Sequence, residues 1–278
     1  MWHLKKIPNI AHFYWGGGAL SYLRFLSVVS FKKQNPDWQV QVHVPIVDSV
    51  APSNWNNNIS QDFRSQLAEL DAKVIAHDFD SYGFTNQAHE VHKSDFLRWL
   101  LLSNQGGLWS DIDILYVRPM NNLAENTAEN SMIDTILCPL IPPAKHTVGF
   151  ILGSKNNNFY KHISELSLKN YDCTVYQCMG SDLINANFKT FESLRQQFPQ
   201  HHFLFLNKKG VYSITSKTID QFYQPMTADT QKKLNNHGVI GYHWFGGHPA
   251  SQQFENTLTA KNVKNYDNFL ATAIQEYL

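Results

Sequence analysis

Cysteine is scarce: Cys138, Cys173 and Cys178 are the only three in 278 residues. Their number and irregular spacing exclude a disulfide framework and a zinc knot, and leave the reduced thiols of a cytoplasmic protein. Charge of one sign is also missing, since 23 basic residues face 23 acidic ones and the formal net charge is zero. A protein that grips nucleic acid by its phosphates needs a basic excess, so no nucleic-acid partner is expected. No run reaches the roughly 18–20 apolar residues that cross a bilayer, so no integral membrane segment is expected either. Residues 1–10, with His3, Lys5, Lys6 and Pro8, lack the apolar stretch of a secretory signal. Internal repeats and low-complexity linkers are absent too. What remains is 43% hydrophobic and 17% charged, which is the composition of a folded globular chain.

The pattern of apolar residues supplies an order of elements. Residues 7–18 form a short β-prone run that ends in Gly16-Gly17-Gly18, where a backbone can approach a ligand closely. Residues 20–34 place Leu23, Leu26 and Phe31 at helical spacing until Asn35-Pro36 stops them. A strand at 38–45, a helix at 62–70 and a strand at 72–76 follow. This alternation predicts an α/β fold with parallel strands in a sheet flanked by helices. A helix over about 88–103 ends before Gly106-Gly107, and a single strand is predicted over 108–117. Beyond that, helices are predicted at 158–168 and 182–198, strands at 203–206, 211–214 and 239–243, and an amphipathic helix at 263–278. One continuous domain over 1–278 is the simplest organisation.

Asp111 and Asp113 stand two apart in Trp109-Ser110-Asp111-Ile112-Asp113. On an extended strand they would share a face, with Ile112 packed behind. Two carboxylates so close repel one another unless a cation joins them, and oxygen ligands suit Mg²⁺ or Mn²⁺. Such an ion would neutralise charge on a departing diphosphate. Asp95 and Arg98, three apart on the preceding helix, share a face that leads through Gly106-Gly107 into the acidic strand. Arg98 could hydrogen-bond a phosphate or a sugar hydroxyl, and Asp95 could accept from sugar hydroxyls.

The segment His92-Lys-Ser-Asp95-Phe-Leu-Arg98 through Gly106-Gly107-Leu-Trp109-Ser-Asp111-Ile-Asp113 resembles the DXD-containing sugar-binding region of glycosyltransferase family 32. That family is related to capsular polysaccharide, α-1,4-galactosyl and yeast initiating mannosyl transferases, and the glucosylating domains of clostridial toxins are similarly arranged. The opening Ile7-Pro8-Asn9-Ile10-Ala11-His12-Phe13-Tyr14-Trp15-Gly16-Gly17 is similar to the family's first strand, and Thr147-Val148-Gly149-Phe150 to a later strand near sugar and acceptor. Gly241-Tyr242-His243-Trp244-Phe245-Gly246-Gly247-His248 is similar to a C-terminal His-Trp-x-x-Ser-Trp element, with Gly247-His248 where the family has Ser-Trp.

The resemblance implies a GT-A fold, a Rossmann-like mixed sheet flanked by helices. Residues 1–120 would form a nucleotide-sugar-binding half, and residues 121–278 an acceptor-side half with the C-terminal helix. It implies a hexosyltransferase-like enzyme that needs Mn²⁺ or Mg²⁺ and retains anomeric configuration. By the same implication Asp113 touches the metal, and Asp111 lies nearer the ribose, metal waters or sugar. Asp95 and Arg98 hold the donor sugar, and His12, Tyr14, Trp15 and Gly16 line the base and ribose end. Gly149 and Phe150 lie near sugar and acceptor. His243 and His248 are candidates for metal ligand or phosphate donor, each with the alternative of a core or loop histidine. Asp182 is a candidate for donor or acceptor contact, with a helix N-cap as its alternative. His201, His202 and His237 are read as solvated loop residues.

The expected partners are a nucleotide-sugar donor, with a UDP-sugar favoured and a GDP-sugar open, and a glycan, glycolipid or polysaccharide acceptor. A membrane-bound acceptor would hold the chain peripherally. Rival readings are a metal-dependent phosphohydrolase, a non-catalytic carbohydrate- or nucleotide-sugar-binding protein and a protein-modifying transferase. Sequence shows no second cluster for a two-metal clamp, and attack from the leaving-group face needs no covalent carboxylate.

Overall fold

The computed structural model describes residues 4–51, 55, 59–123, 131–141 and 145–278. A seven-stranded sheet runs in the order β3-β2-β1-β4-β7-β6-β8. Its strands are β1 (Ile10–Tyr14), β2 (Gln39–Pro45), β3 (Ala72–His77), β4 (Gly107–Ser110), β6 (Thr135–Ile141), β7 (Lys145–Gly153) and β8 (Phe203–Phe205). β3, β2, β1 and β4 are mutually parallel, whereas β7 runs antiparallel to both β4 and β6. A separate ribbon pairs β5 (Ile114–Tyr116) with β9 (Gly241–His243). This is a mixed α/β sheet flanked by helices.

Helices cover both faces. α1 (Tyr22–Gln34) starts where Ser21 Oγ accepts the amide of Arg24, and it packs Leu23, Leu26 and Phe31 into one apolar core. α2 (Glu90–Asn104) and α3 (Asn158–Lys169) bury Phe96, Trp99 and Phe159 in the other. α2 passes into β4 through Gly106 (φ +70°) and Gly107 (φ +96°), left-handed positions that strain any side chain. Side chains are excluded there on contact grounds too, because a Cβ on Gly106 would sit 2.5 Å from the backbone nitrogen of Lys155. The helix that carries Asp95 and Arg98 is therefore fixed to the strand that precedes Asp111.

The remaining helices are α4 (Ser181–Asn187), α5 (Phe191–Gln197), α6 (Ala228–Leu234), α7 (Pro249–Thr257) and α8 (Phe269–Gln275). Several expected elements are divided. The single strand predicted over 108–117 is two strands in different sheets, β4 and β5, with Asp111, Ile112 and Asp113 in the turn between them. The helix predicted over 182–198 is α4 and α5, because Thr190 caps a new helix by accepting from Ser193 N. The predicted strand at 211–214 is absent, since the amides of Val211 and Tyr212 fold back onto Lys208 O. The last helix begins only at Phe269, where Asn268 Oδ1 accepts from Ala271 N at 2.9 Å, after a 3-10 turn at Val263–Asn265. Residues 62–70 supply a 3-10 turn, Ser65–Leu70, closed by Asp71 at φ +54°. α6, α7 and β6 had no counterpart among the sequence expectations.

Candidate active site

A cavity of about 430 Å³ opens at the carboxyl end of β1 and β4, lined among others by Tyr14, Arg24, Asp95, Arg98, Asp111, Asp113, His243 and His248. Ligands of open α/β sheets bind at this end of the strands. The Asp111 amide donates to Gly149 O at 2.8 Å, so the acidic turn is tied to β7 as β4 runs out. Gly149 must lack a side chain, because a Cβ there would run into Asp111 Oδ2.

The two carboxylates reach their common neighbourhood by separate routes. Asp111 Oδ1 accepts from Arg98 Nη2 at 3.2 Å and from Trp109 Nε1 at 3.1 Å. Asp113 Oδ2 accepts from Gly246 N at 2.7 Å, and Asp113 Oδ1 lies 3.2 Å from His243 Nε2. His243 Nε2 also lies 3.7 Å from Asp111 Oδ2. His243 is brought there by the β5–β9 ribbon, which pairs Ile114 with His243. The turn is what lets one aspartate face α2 and the other the C-terminal segment; a continuous strand would not.

Charge follows geometry. Burial pushes the Asp111 carboxyl up, but Arg98 and His243 outweigh it and hold the group well below the usual carboxylate range. Burial pushes His243 down, while Asp113 and Asp111 raise it by more, so the imidazolium is favoured as long as the carboxylates have no other cation. Burial dominates at Asp95, which is raised to about 7 although Arg98 beside it opposes the shift. Arg98 Nη1 lies 3.1 Å from Asp95 Oδ1. Asp95 Oδ2, Arg98 Nε and Arg98 Nη1 nevertheless have no hydrogen-bond partner, which leaves buried donors and an acceptor beside the cavity.

One ligand atom each from Asp111, Asp113 and His243 lie within 4.8 Å of one another, the one such group of three among the described residues. Two carboxylates and an imidazole are a donor set that a hard or borderline divalent ion accepts, with its remaining positions open to water or phosphate. The residues therefore fit Mn²⁺ or Mg²⁺. His248 lines the cavity but is not in that group; its Nδ1 accepts from Ala250 N at 3.2 Å and caps α7. The neutral ring then carries its proton on Nε2 and is a donor.

Other candidates sit farther out. His12 is buried between Gly106 O and His43, with Nε2 at 2.9 Å and Nδ1 at 3.1 Å, and does not line the cavity. Tyr14 does line it, and its hydroxyl donates to Glu90 Oε2, the atom that a Cβ on Gly16 would strike. Trp15 faces a smaller cavity of about 240 Å³ with Gly17, Gly18, Asp48 and Arg64, and its ring lies under Arg24. Phe150 is wholly buried on β7. Asp182 is exposed in the first turn of α4 and outside the cavity lining, and Gly180 rather than an aspartate occupies the N-cap. His201 is not a solvated loop residue, because its Nδ1 lies 3.1 Å from Asp134 Oδ1 and its side chain is 7% exposed. Sequence reasoning passed over Trp109 as a ligand to Asp111, the backbone of Gly246 and Arg24. The one available signal for Arg24 was a charge inside the apolar run Leu23-Arg24-Phe25-Leu26.

Residues 25–129 match the family described as glycosyltransferase sugar-binding region containing DXD motif. Among solved structures, the chain is similar to one titled PaToxG glycosyltransferase, with 16% identity and a TM-score of 0.48 over 97% of this chain and 87% of that one. It is similar to an active-site mutant of LgtC at 13% identity and a TM-score of 0.47, covering 96% and 94%. The glycosyltransferase GlyE of Streptococcus pneumoniae shares 14% identity at a TM-score of 0.44, and this chain covers 60% of its length. No curated protein matches the chain in sequence.

Proposed function

We propose that the protein transfers a hexose from a nucleoside-diphosphate sugar, with uridine favoured as the nucleoside and guanosine open, to a hydroxyl of a glycan, glycolipid or growing polysaccharide. The observation that carries this reading is the meeting of Asp111, Asp113 and His243 with Asp95 and Arg98 around one cavity. Asp111, Asp113 and His243 would hold the Mn²⁺ or Mg²⁺ ion, which supplies Lewis-acid neutralisation of the diphosphate when bound. Arg98, whose Nε and Nη1 make no hydrogen bond, offers donors to the sugar or phosphate, and Asp95 Oδ2 offers an acceptor to a sugar hydroxyl. In the transfer the bond from the anomeric carbon to the diphosphate breaks, the acceptor oxygen forms the new bond, and its proton goes to the released phosphate. Among the described residues, the cavity's carboxylates are Asp95, Asp111 and Asp113, and each lies in an ion pair with Arg98 or His243. None stands free as a covalent nucleophile, which supports attack from the leaving-group face and retention by positioning and electrostatics.

No helix among the described residues is long and apolar enough to cross a membrane. With the reduced cysteines, this supports a cytoplasmic enzyme that meets a membrane only through its acceptor. A panel of UDP- and GDP-sugars with and without Mn²⁺, followed by thermal shift and product release, tests the reading. One donor should raise the melting temperature only with metal, and Asp113→Asn should abolish both that shift and transfer while the unliganded melting temperature stays within a few degrees. Undiminished transfer by Asp113→Asn would remove the metal-site assignment. Binding without turnover for every donor and acceptor would favour a carbohydrate-binding protein.

A further inference from the structure

Arg24 is a guanidinium, charged at every physiological pH, on a buried stretch of α1, and it is 3% exposed. Glu255 of α7 answers it in part: Arg24 Nε donates to Oε1 at 2.7 Å and Nη2 to Oε2 at 3.3 Å. The guanidinium carbon lies 4.6 Å from the centre of the Trp15 ring and 5.1 Å from that of Trp244, contacts that fix its plane. A guanidinium has five N–H groups and these bonds use two. The Nη1 group has no hydrogen-bond partner among the described residues, yet Arg24 lines the cavity that holds Asp113 and His243.

Gly246 connects the two charges. Its amide donates to Asp113 Oδ2 at 2.7 Å, and a Cβ on it would lie 2.5 Å from Arg24 Nη2 and 3.1 Å from Nη1. The missing side chain keeps the outer edge of the guanidinium clear within one residue of an acidic ligand of the cation site. An ion pair that served only the core would have no need of an unused donor edge beside a cavity. Planar forks of this kind match phosphate oxygens.

We propose that Arg24 binds the diphosphate of the donor from the α1 side of the cavity, a second arginine contact beside that of Arg98 on α2. The inference rests on the nucleotide-sugar reading above. The two indoles hold the plane of the fork before ligand arrives, and Glu255 is the anion that the diphosphate competes with.

The test is calorimetric titration of UDP, GDP and inorganic pyrophosphate, with and without Mn²⁺, into wild type, Glu255→Gln and the charge-balanced double variant Arg24→Gln/Glu255→Gln. The double variant should bind the preferred diphosphate at least ten-fold more weakly, with a shallower salt dependence. Glu255→Gln alone should bind it equally or more tightly, because the arginine loses its competing anion; a purely structural pair predicts that both variants weaken. Equal weakening in both, or no weakening in the double variant, overturns the assignment of Arg24 and leaves the nucleotide-sugar reading standing. Wild type that binds neither UDP nor GDP overturns both. If the double variant lacks a cooperative thermal transition, Glu255→Gln decides alone: ten-fold weaker binding rejects the proposal and unchanged or tighter binding supports it.

Discussion

His146 is 1% exposed, and neither of its ring nitrogens has a hydrogen-bond partner. Phe191 and Phe205 flank it at ring separations of 5.7 and 6.4 Å. Burial lowers its pKa from 6.5 to about 4, so the folded protein holds the neutral ring while the unfolded chain still takes up the proton. A depressed pKa contributes stability that is present above the unfolded value and is lost as the pH falls through the folded one. Between pH 7 and 5 this one residue should therefore account for roughly 2 kcal/mol of lost stability. His146→Phe should reduce that loss and raise the melting temperature at pH 5 by roughly 3–4 °C relative to wild type. Scanning calorimetry at the two pH values checks it, and an unchanged pH slope would mean the ring is already solvated. No sequence signal marks His146. Its neighbours Phe191 and Phe205 are distant in the chain, and the same is true of Glu255, which answers Arg24 from 231 positions away. Asp95 and Arg98 were legible because both partners lie on one helix.

At the scale of elements, the legible parts were those whose cause is local. α1 and α2 announce themselves by caps and glycines, and the acidic turn by its spacing. What the sequence hid was that the chain changes sheets at Asp111. Ile112 and Ile114 read as one alternating strand, while the break is imposed by long-range pairing of β5 with β9. Gly107 is the position where local and distant causes meet. Its φ is +96°, and a Cβ would collide with Ile10 O on β1. Gly83 has a similar φ of +88° but nothing within 4 Å of the added carbon. Gly83→Ala should thus cost about 1–2 kcal/mol from backbone strain alone. Gly107→Ala should cost more than about 3 kcal/mol, because β1 must also move away. It should weaken diphosphate binding as well, since β4 leads directly into Asp111. Urea unfolding of the two variants side by side separates strain from collision, and equal costs would show that β1 yields freely.

On the scale of the whole molecule, the α/β class and the parallel N-terminal strands followed from alternating patterns, while the join between the two ends of the chain did not. That join is what makes residues 1–278 one unit in our reading. Phe269, Leu270 and Ile274 of α8 are fully buried in the same apolar cluster as Leu23, Leu26 and Phe31 of α1. Lys33 Nζ donates to Tyr277 O at 2.7 Å, and the Tyr277 hydroxyl donates to Tyr116 O on β5. The Phe269 ring also meets that of Tyr242, the neighbour of His243 on β9, nearly at right angles with the ring centres 4.8 Å apart. The C-terminal helix therefore backs the ribbon that carries His243. Burial of Phe269, Leu270, Ile274 and Tyr277 is worth roughly 1.5–3 kcal/mol each. Their sum is comparable with the whole stability of a typical domain, about 5–15 kcal/mol. A chain ending at residue 268 should lose its cooperative thermal transition. The milder Phe269→Ala should cost about 3–5 kcal/mol and lower metal affinity through Tyr242 and His243. If the shortened chain instead unfolds cooperatively near the full-length midpoint, the C-terminal segment is an accessory to the sheet, and His243 must owe its position to β5 alone.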